Sequence, residues 1–288
     1  MKFGLRYCNT GRYVDPARAI ELLQAAERAG FESAWTVEHT VVPAGYQSAY
    51  PYSSDGKMAG GIDDFPLPDP LIWMAYVAAA TTKIKLATGI LILPQHNPVV
   101  VAKQVATLDH LSRGRVLLGI GVGWMKEEFD ALGVPFEDRG ARTDEYVAAL
   151  RALWGQSKAS YRGRYIAFDD IYCRPQPARG TVPIIVGGHS AAAARRAGRL
   201  GDGFIPARGS PHALIELARR TAAQHDRDPG ALEITTGVPE TLDEIPALSA
   251  FGVDRVLVPV TPMPGMSMTI TSVEDVLKWR STIERFAD

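Results

Sequence analysis

A histidine, His39, follows directly after the apolar run Ser33–Glu38. Histidine titrates near neutral pH, so at such a position it can donate a hydrogen bond to a ligand or carry a proton during catalysis. The alternative interpretation is a structural histidine that bonds to a neighbouring loop. The sequence leaves both interpretations open.

A second candidate is the stretch Gly187-Gly188-His189-Ser190, which precedes the helix-forming segment Ala191–Leu200. Bare backbone amides at the start of a helix form an anion site, so this stretch predicts a phosphate-binding loop. The alternative is a tight turn with no ligand, because the stretch contains neither a GxGxxG nor a Walker motif.

Two further stretches combine glycine with strand-forming residues. The sequence GIGVGW, from Gly119 to Trp124, lacks side chains at three alternating positions, which allows a flat ligand or another strand to approach its backbone closely. Trp124 would add an aromatic wall. In Thr88-Gly89-Ile90 the glycine marks a bulge or a strained peptide, or serves only in packing.

Three histidines, His39, His96 and His189, stand at the ends of apolar runs and raise the alternative of a zinc hydrolase. The sequence contains neither an HxH nor an HExxH pair, and no obvious carboxylate base stands beside these histidines. A GxSxG nucleophile motif is also absent. We therefore expect no metal site.

Eight short apolar runs alternate with segments of helical periodicity along the 288 residues. This repeat predicts an α/β fold, a (β/α)8 TIM barrel, with one domain over residues 1–288. In such a barrel the active site lies at the C-terminal ends of the strands, which is where the candidate residues stand. The predicted strands are Lys2–Tyr7, Ser33–Glu38, Ile84–Leu93, Val116–Ile120, Pro183–Val186, Gly203–Pro206, Glu233–Val238 and Arg255–Val260.

Two insertion segments interrupt the alternation, one after the second predicted strand and one after the fourth. Thr40–Pro68 has no helical periodicity and is rich in aromatic residues and proline. Long irregular connections in compact domains are usually functional, so we interpret this segment as a lid. Lys158–Asp170 has a turn between two β-prone pieces and predicts an excursion before the fifth strand.

Several helices have clear starting signals. Asp15-Pro16, Asp69-Pro70 and Asn97-Pro98 each place a capping residue before a proline at the first helical position. These three pairs predict the first residues of three helices.

Composition limits the classes of partner. The chain has 31 Lys and Arg against 32 Asp and Glu, a net charge of −1, so we expect no nucleic-acid partner and a small-molecule substrate instead. No apolar stretch is long enough for a membrane span or a signal peptide. Cys8 and Cys173 form no disulfide framework, which favours a cytoplasmic location.

Taken together, the chain resembles the luciferase-like flavin-dependent oxidoreductase family over nearly its whole length, and most closely its F420-dependent branch. Four stretches carry the resemblance: SAWTVEH (Ser33–His39), residues 87–124 with EEFDALGVPFEDRGARTDEYV beyond them, PQPARGTVPIIVGGHS (Pro175–Ser190) and RRAGRLGDGF (Arg195–Phe204).

This resemblance implies an enzyme that holds the deazaflavin coenzyme F420 at the barrel mouth, with FMN as the alternative cofactor. It implies that His39 is the catalytic histidine beside the cofactor ring, and that Gly89-Ile90 is a non-prolyl cis peptide backing that ring. The cofactor-binding residues expected are His39, Thr88, Gly89, Ile90, Gly123, Trp124, Gly187, Gly188, His189 and Ser190.

Two alternatives to an F420-dependent hydride transfer remain open. One is an FMN-dependent luciferase-like monooxygenase. The other is a flavin-binding protein without turnover, in which aromatic residues of the lid fill the mouth. The resemblance also implies a homodimer.

Overall fold

The computed structural model describes residues 1–53, 55–58, 61–206, 211–262 and 268–287. Its strands alternate with helices along the chain, as the repeat of apolar runs predicts. In chain order the strands are β1 (Lys2–Arg6), β2 (Ser33–Thr36), β3 (Lys85–Thr88), β4 (Leu91–Ile92), β5 (Val116–Gly121), β6 (Ala159–Arg162), β7 (Ala167–Ile171), β8 (Ile184–Gly187), β9 (Gly203–Ile205), β10 (Glu233–Gly237) and β11 (Arg255–Pro259).

The helices cover the outside of the sheet. They are α1 (Pro16–Ala29), α2 (Pro70–Ala78), α3 (Pro98–Ser112), α4 (Lys126–Ala131), α5 (Arg139–Gly155), α6 (Ala191–Leu200), α7 (His212–Gln224), α8 (Ile245–Phe251) and α9 (Val273–Phe286). Within the described ranges, no helix has the length and hydropathy needed to cross a membrane.

The sheet closes into a barrel of eight parallel strands, of which β3 and β4 together form the third. Neighbouring strands follow the order β3-β2-β1-β11-β10-β9-β8-β5, and β5 pairs back with β3 and β4. The prediction of a (β/α)8 barrel is confirmed. β6 and β7 pair antiparallel as a hairpin between α5 and β8, which is the predicted excursion before the fifth barrel strand.

The predicted helix starts are all present. The side chains of Asp15, Asp69 and Asn97 accept hydrogen bonds from backbone amides in the first turns of α1, α2 and α3. Each cap satisfies donors that a helix leaves unpaired at its N-terminus. The caps therefore fix the residue at which each loop ends and each helix begins.

The third barrel strand corrects the prediction of one continuous strand from Ile84 to Leu93. Ala87 pairs with Leu117, whereas Leu91 pairs with Ile120, so four steps along this strand match three steps along β5. One extra residue is therefore accommodated between β3 and β4, which is a bulge. Gly89 lies inside it, and the peptide bond between Gly89 and Ile90 is cis.

Apolar side chains fill the middle of the barrel lumen. Trp35 and Leu257 are each 1% exposed there, and they pack with Ala87, Leu117 and Ile185. The interior of such a barrel is a packed core and has no pore. Ligands therefore have access to the strand ends and not to the centre.

The lumen floor, at the N-terminal ends of the strands, is made of charged residues. The fully buried guanidinium of Arg255 donates to Glu32 at 2.8 Å and to Glu233 at 2.6 Å. Lys85 and Lys2 pair with the same two carboxylates. Burial opposes ionisation of Glu32, but the hydrogen bond and charge of Arg255 outweigh it and lower its pKa to about 2.

Candidate active site

His39 lies at the barrel mouth, three residues after the end of β2, and is held by a glutamate from another element. Its Nδ1 lies 2.9 Å from Oε2 of Glu128 on α4, and the side chains are 11% and 1% exposed. Glu128 also accepts a hydrogen bond from the amide of Thr40 at 2.7 Å, through Oε1. One buried carboxylate therefore fixes both the histidine and the start of the loop that follows it.

This contact decides which histidine nitrogen is available to a ligand. The Glu128 carboxylate accepts two backbone amides of the loop through Oε1, and its Oε2 lies against Nδ1 of His39. An ionised carboxylate accepts from Nδ1–H, and so Nε2 is the nitrogen that remains for chemistry. An acidic partner that orients a histidine in this way is a common feature of catalytic sites.

A second histidine–glutamate pair lies beside the first. His96 Nε2 is 2.9 Å from Oε1 of Glu38, and Glu38 also accepts the backbone amide of Ile92. Burial alone would lower the pKa of His96, but the hydrogen bond and negative charge of Glu38 outweigh it, so that this pKa is raised. The pair ties the end of β2 to the segment after β4.

Aromatic residues of the loop after β2 pack around Trp124. We call Thr40–Pro68 the strand-2 loop; its residues 54, 59 and 60 lie outside the described part of the chain. The Trp124 ring lies edge-on to His39 at 5.8 Å, to Tyr46 at 5.5 Å and to Tyr50 at 5.1 Å between ring centroids. Tyr50 in turn contacts Tyr52 at 5.3 Å.

The glycines of GIGVGW are explained by neighbouring protein atoms. A Cβ on Gly119 would lie 1.8 Å from the carbonyl oxygen of Thr88, and one on Gly121 would lie 2.5 Å from Ile90 Cδ1. Gly123 has φ +77°, and a Cβ there would lie 2.7 Å from the Phe129 ring. Of the two interpretations, close approach of another strand accounts for the pattern.

Ile90 projects into the space left by two strands. Its Cγ2 lies 2.4 Å from where Gly187 would carry a Cβ, so its side chain occupies the room beside Gly121 and Gly187. The Thr88 side chain is fully buried, and its hydroxyl donates to Gly119 O at 2.6 Å. The expectation that Thr88 binds cofactor is therefore not supported for its hydroxyl, which belongs to the barrel wall.

The predicted phosphate loop needs a correction. The amide of Gly188 donates to the carbonyl of Ile205 at 3.2 Å, because the loop continues the pairing of β8 with β9 for one more residue. The backbone of His189 is hydrogen-bonded to the hydroxyl of Tyr52 from the strand-2 loop. These two amides are thus already engaged by protein atoms.

The amides that remain for an anion lie one residue further along the chain. Ser190 caps α6 by accepting from the amide of Ala193 at 3.2 Å. Within the described residues, the amides of Ser190, Ala191 and Ala192 form no hydrogen bond to a protein acceptor, and all three residues are exposed. An anion site therefore fits the first turn of α6 better than the two glycines before it.

The zinc-hydrolase alternative gains no support from the geometry. His39 and His96 pair with different glutamates, and His189 belongs to the loop after β8. In the ranges that the structure describes, no three His, Cys, Asp or Glu side chains come together in a group that could hold a metal ion.

The structure brings several predicted residues together and adds three that the sequence interpretation missed. His39 contacts Trp124, and Ile90 contacts Gly187. The missed residues are Glu128, Glu38 and Tyr52. Glu128 lies 89 residues from His39, and only its place in the EEFDALGV stretch after the fourth barrel strand could have indicated it.

Residues 3–247 match the profile of a known protein family, described as luciferase-like monooxygenase. The chain belongs to this family. Membership confirms the resemblance seen in the sequence and the prediction of an enzyme.

Relatives of this luciferase-like protein include proteins of Mycobacterium tuberculosis and Kineococcus radiotolerans. An uncharacterized protein of Mycobacterium tuberculosis is 37% identical over 189 residues, 65% of each chain, so the match spans slightly less than two thirds of that relative. A protein of Kineococcus radiotolerans named F420-dependent glucose-6-phosphate dehydrogenase is 30% identical over 84% of this chain and 69% of its own.

Solved structures confirm the fold of this luciferase-like chain. Coenzyme F420-dependent tetrahydromethanopterin reductase from Methanopyrus kandleri superposes with a TM-score of 0.76 at 16% identity, over 99% of both chains. Monooxygenase RslO1 from Streptomyces bottropensis gives a TM-score of 0.73 at 20% identity, over 100% of this chain and 98% of its own.

Proposed function

We propose that this protein is an F420-dependent oxidoreductase that transfers a hydride between the deazaflavin cofactor and a small organic substrate. The observation that carries the proposal is the fixed orientation of His39, whose Nδ1 contacts buried Glu128 and whose ring lies beside Trp124 at the mouth. The relative named F420-dependent glucose-6-phosphate dehydrogenase supports the choice of cofactor. The homodimer remains a prediction.

The residues at the mouth fit such a cofactor. The exposed first-turn amides of α6 would hold a phosphate, and the half-buried side chains of Ile90 and Trp124 offer apolar surface to a planar ring. When bound, F420 supplies the hydride chemistry at its deazaflavin ring. The strand-2 loop, which packs against Trp124, would shield a ring bound there from water.

His39 has one defined task in this proposal. With Nδ1–H directed to Glu128, Nε2 accepts a proton from a substrate hydroxyl when the substrate is oxidised, or returns it when a carbonyl is reduced. Glu128 holds the ring with Nε2 directed away from the carboxylate, so it is a positioning residue.

Separate titrations with F420 and with FMN, each followed by fluorescence, test the cofactor assignment. We expect micromolar binding of F420 and much weaker binding of FMN. Micromolar FMN binding without F420 binding would overturn the proposal in favour of the FMN-dependent monooxygenase.

A proline substitution in the first turn of α6 tests whether these amides bind the phosphate of F420. Ala191→Pro removes one first-turn amide of α6 at a helical position that tolerates proline, and Ser190 before it has the extended backbone that proline requires. We expect F420 affinity to fall about tenfold, as for the loss of one hydrogen bond to a charged group. Val273→Pro at the start of α9 is the matched control, since Ser272 caps that helix in the same conformation.

A further inference from the structure

Arg6 is the last residue of β1 and lies at the mouth end of the lumen. Side chains alternate along a strand, so Gly4 and Arg6 share one face of β1. That face is the lumen side, because a Cβ on Gly4 would lie 2.7 Å from the side chain of Leu257, which packs inside the barrel. The guanidinium of Arg6 therefore points into the lumen above Leu257.

The side chain of Arg6 extends past β11 towards β10. Its Nη1 lies 3.7 Å from the position of a Cβ on Gly237, the last residue of β10, which is two strands away. Its Nη2 lies 2.5 Å from the hydroxyl of Tyr7, and its Cζ lies 4.3 Å from the centroid of the Tyr7 ring. Both residues are half-buried.

The backbone of Tyr7 is unusual in a way that serves this contact. Tyr7 has φ +65°, in the left-handed region that bulky residues seldom adopt. Strained residues of this kind cluster at ligand sites, where the surrounding structure holds them in place. Here the conformation accompanies a phenol hydroxyl that lies against the guanidinium and can donate its own proton to a third group.

The hydrogen-bonding capacity of Arg6 is largely unused. A guanidinium has five N–H donors. The half-buried Arg115 uses its donors on Ser112, Thr81, Ile84 and Ala78, whereas Arg6 forms one side-chain hydrogen bond among the described residues, to Tyr7. No carboxylate in the described ranges forms an ion pair with Arg6.

We propose that Arg6 and Tyr7 bind an oxyanion of the substrate, a carboxylate or phosphate group, at the barrel mouth. An arginine with spare donors in a recess is suited to bidentate recognition of such groups. The substrate of the reaction proposed above, on which this inference rests, is then an anionic organic molecule.

The position of Arg6 favours the substrate over the cofactor as the source of this anion. The first turn of α6 follows β8, the fifth strand of the barrel, whereas Arg6 ends the first. In an eight-stranded barrel these strands lie on opposite sides. If the phosphate of the cofactor binds at α6, Arg6 remains free to bind an anionic group of a second molecule, the substrate.

Titration of the protein without cofactor tests the site directly. The probes are benzoate, inorganic phosphate and neutral benzamide at constant ionic strength, followed through arginine side-chain signals by NMR. We expect benzoate or phosphate to shift one Nε–H signal that is missing in Arg6→Gln, and to bind that variant at least about tenfold more weakly. Benzamide should bind weakly to both proteins.

Two control variants separate this site from general charge effects and from misfolding. Arg12→Gln makes the same change of charge at an exposed arginine and should bind the anions like the wild type. Tyr7→Phe keeps the ring but removes the hydroxyl, so it should weaken anion binding less than Arg6→Gln. If Arg6→Gln binds the anions as tightly as the wild type, the proposal is overturned. If Arg6→Gln does not fold, Tyr7→Phe takes its place, and an anion affinity equal to that of the wild type in Tyr7→Phe overturns the proposal.

The F420 titration distinguishes the source of the anion. We expect Arg6→Gln to bind F420 with unchanged affinity, and benzoate not to compete with F420. Competition, together with weakened F420 binding, would assign Arg6 to the cofactor and overturn the substrate assignment. Absence of F420 binding in the wild type would contradict the proposed function alone, because the benzoate titration requires no cofactor.

Discussion

Two arginines point into the lumen of this barrel, Arg255 at its floor and Arg6 at its mouth, and they differ in their surroundings. Arg255 is fully buried and bonds to Glu32, Glu233 and Thr235. Arg6 is half-buried, and among the described residues its side chain bonds only to the phenol of Tyr7. The floor satisfies its charge internally, whereas the mouth leaves donors available to a ligand.

This difference indicates that the floor of the lumen contributes to stability and the mouth to binding. A buried cation whose carboxylates are all in place contributes to folding, and removal of one partner leaves an uncompensated charge. A cation at the mouth has its charge balanced in the same way only when it binds an anion from outside the protein. Substitutions at the floor should therefore change stability, and substitutions at the mouth should change binding or rate.

The largest effect that we expect from the mouth is on the chemical step. His39→Ala removes the group that we propose as the proton carrier and should slow hydride transfer roughly 10²–10⁴-fold, the range for a positioned acid or base. Stopped-flow measurement at saturating F420 checks this, with Tm measured in parallel. His110→Ala, at an exposed histidine of α3, is the control and should leave the rate unchanged.

An unchanged rate in His39→Ala would assign His39 to cofactor binding alone. A large loss of Tm would contradict the division between floor and mouth, because the 11% exposed side chain of His39 would then support the fold.

At the floor, Arg255→Met should lower the free energy of unfolding by about 3–5 kcal/mol, since two carboxylates lose their buried partner. Urea unfolding followed by circular dichroism measures the change. Arg220→Met is the control, because the pair of Arg220 with Glu216 is exposed, and the change should be at most about 1 kcal/mol. Equal losses in the two variants would disprove the role given to burial.

The floor should also make stability depend on pH in the acid range. Glu32 has a pKa of about 2 in the folded protein and about 4.5 when free, so its contribution is complete above pH 4.5 and is lost as the pH falls towards 2. The loss should be on the order of 2–3 kcal/mol. Urea midpoints between pH 5 and 2.5 should fall less steeply in Glu32→Gln, and parallel curves would refute this assignment.

Features that depend on local sequence were predictable. The caps at Asp15, Asp69 and Asn97 each act within three residues, and the buried strands follow from short apolar runs. The cis peptide at Gly89-Ile90 was available only through the family resemblance. The bulge beside it is visible only when the third barrel strand is paired with β5, and the sequence of one strand alone does not give that pairing.

Contacts between segments that are distant in the sequence could not be predicted from local sequence patterns. Glu128 meets His39 only because α4 folds back over the strand-2 loop, and Tyr52 reaches His189 only through the path of that loop. A loop carries no periodicity that fixes its direction. Arg6 was also missed, although it lies one residue before the end of the first predicted strand, Lys2–Tyr7, where the barrel rule places active sites.

The packed lumen around Trp35 and Leu257 also has a kinetic consequence. With the centre of the barrel filled, a molecule bound against the strand ends has one entrance and no rear exit. Every ligand of the mouth must therefore enter and leave from the same side. A ligand that covers the mouth should then slow both the entry and the release of any ligand bound beneath it.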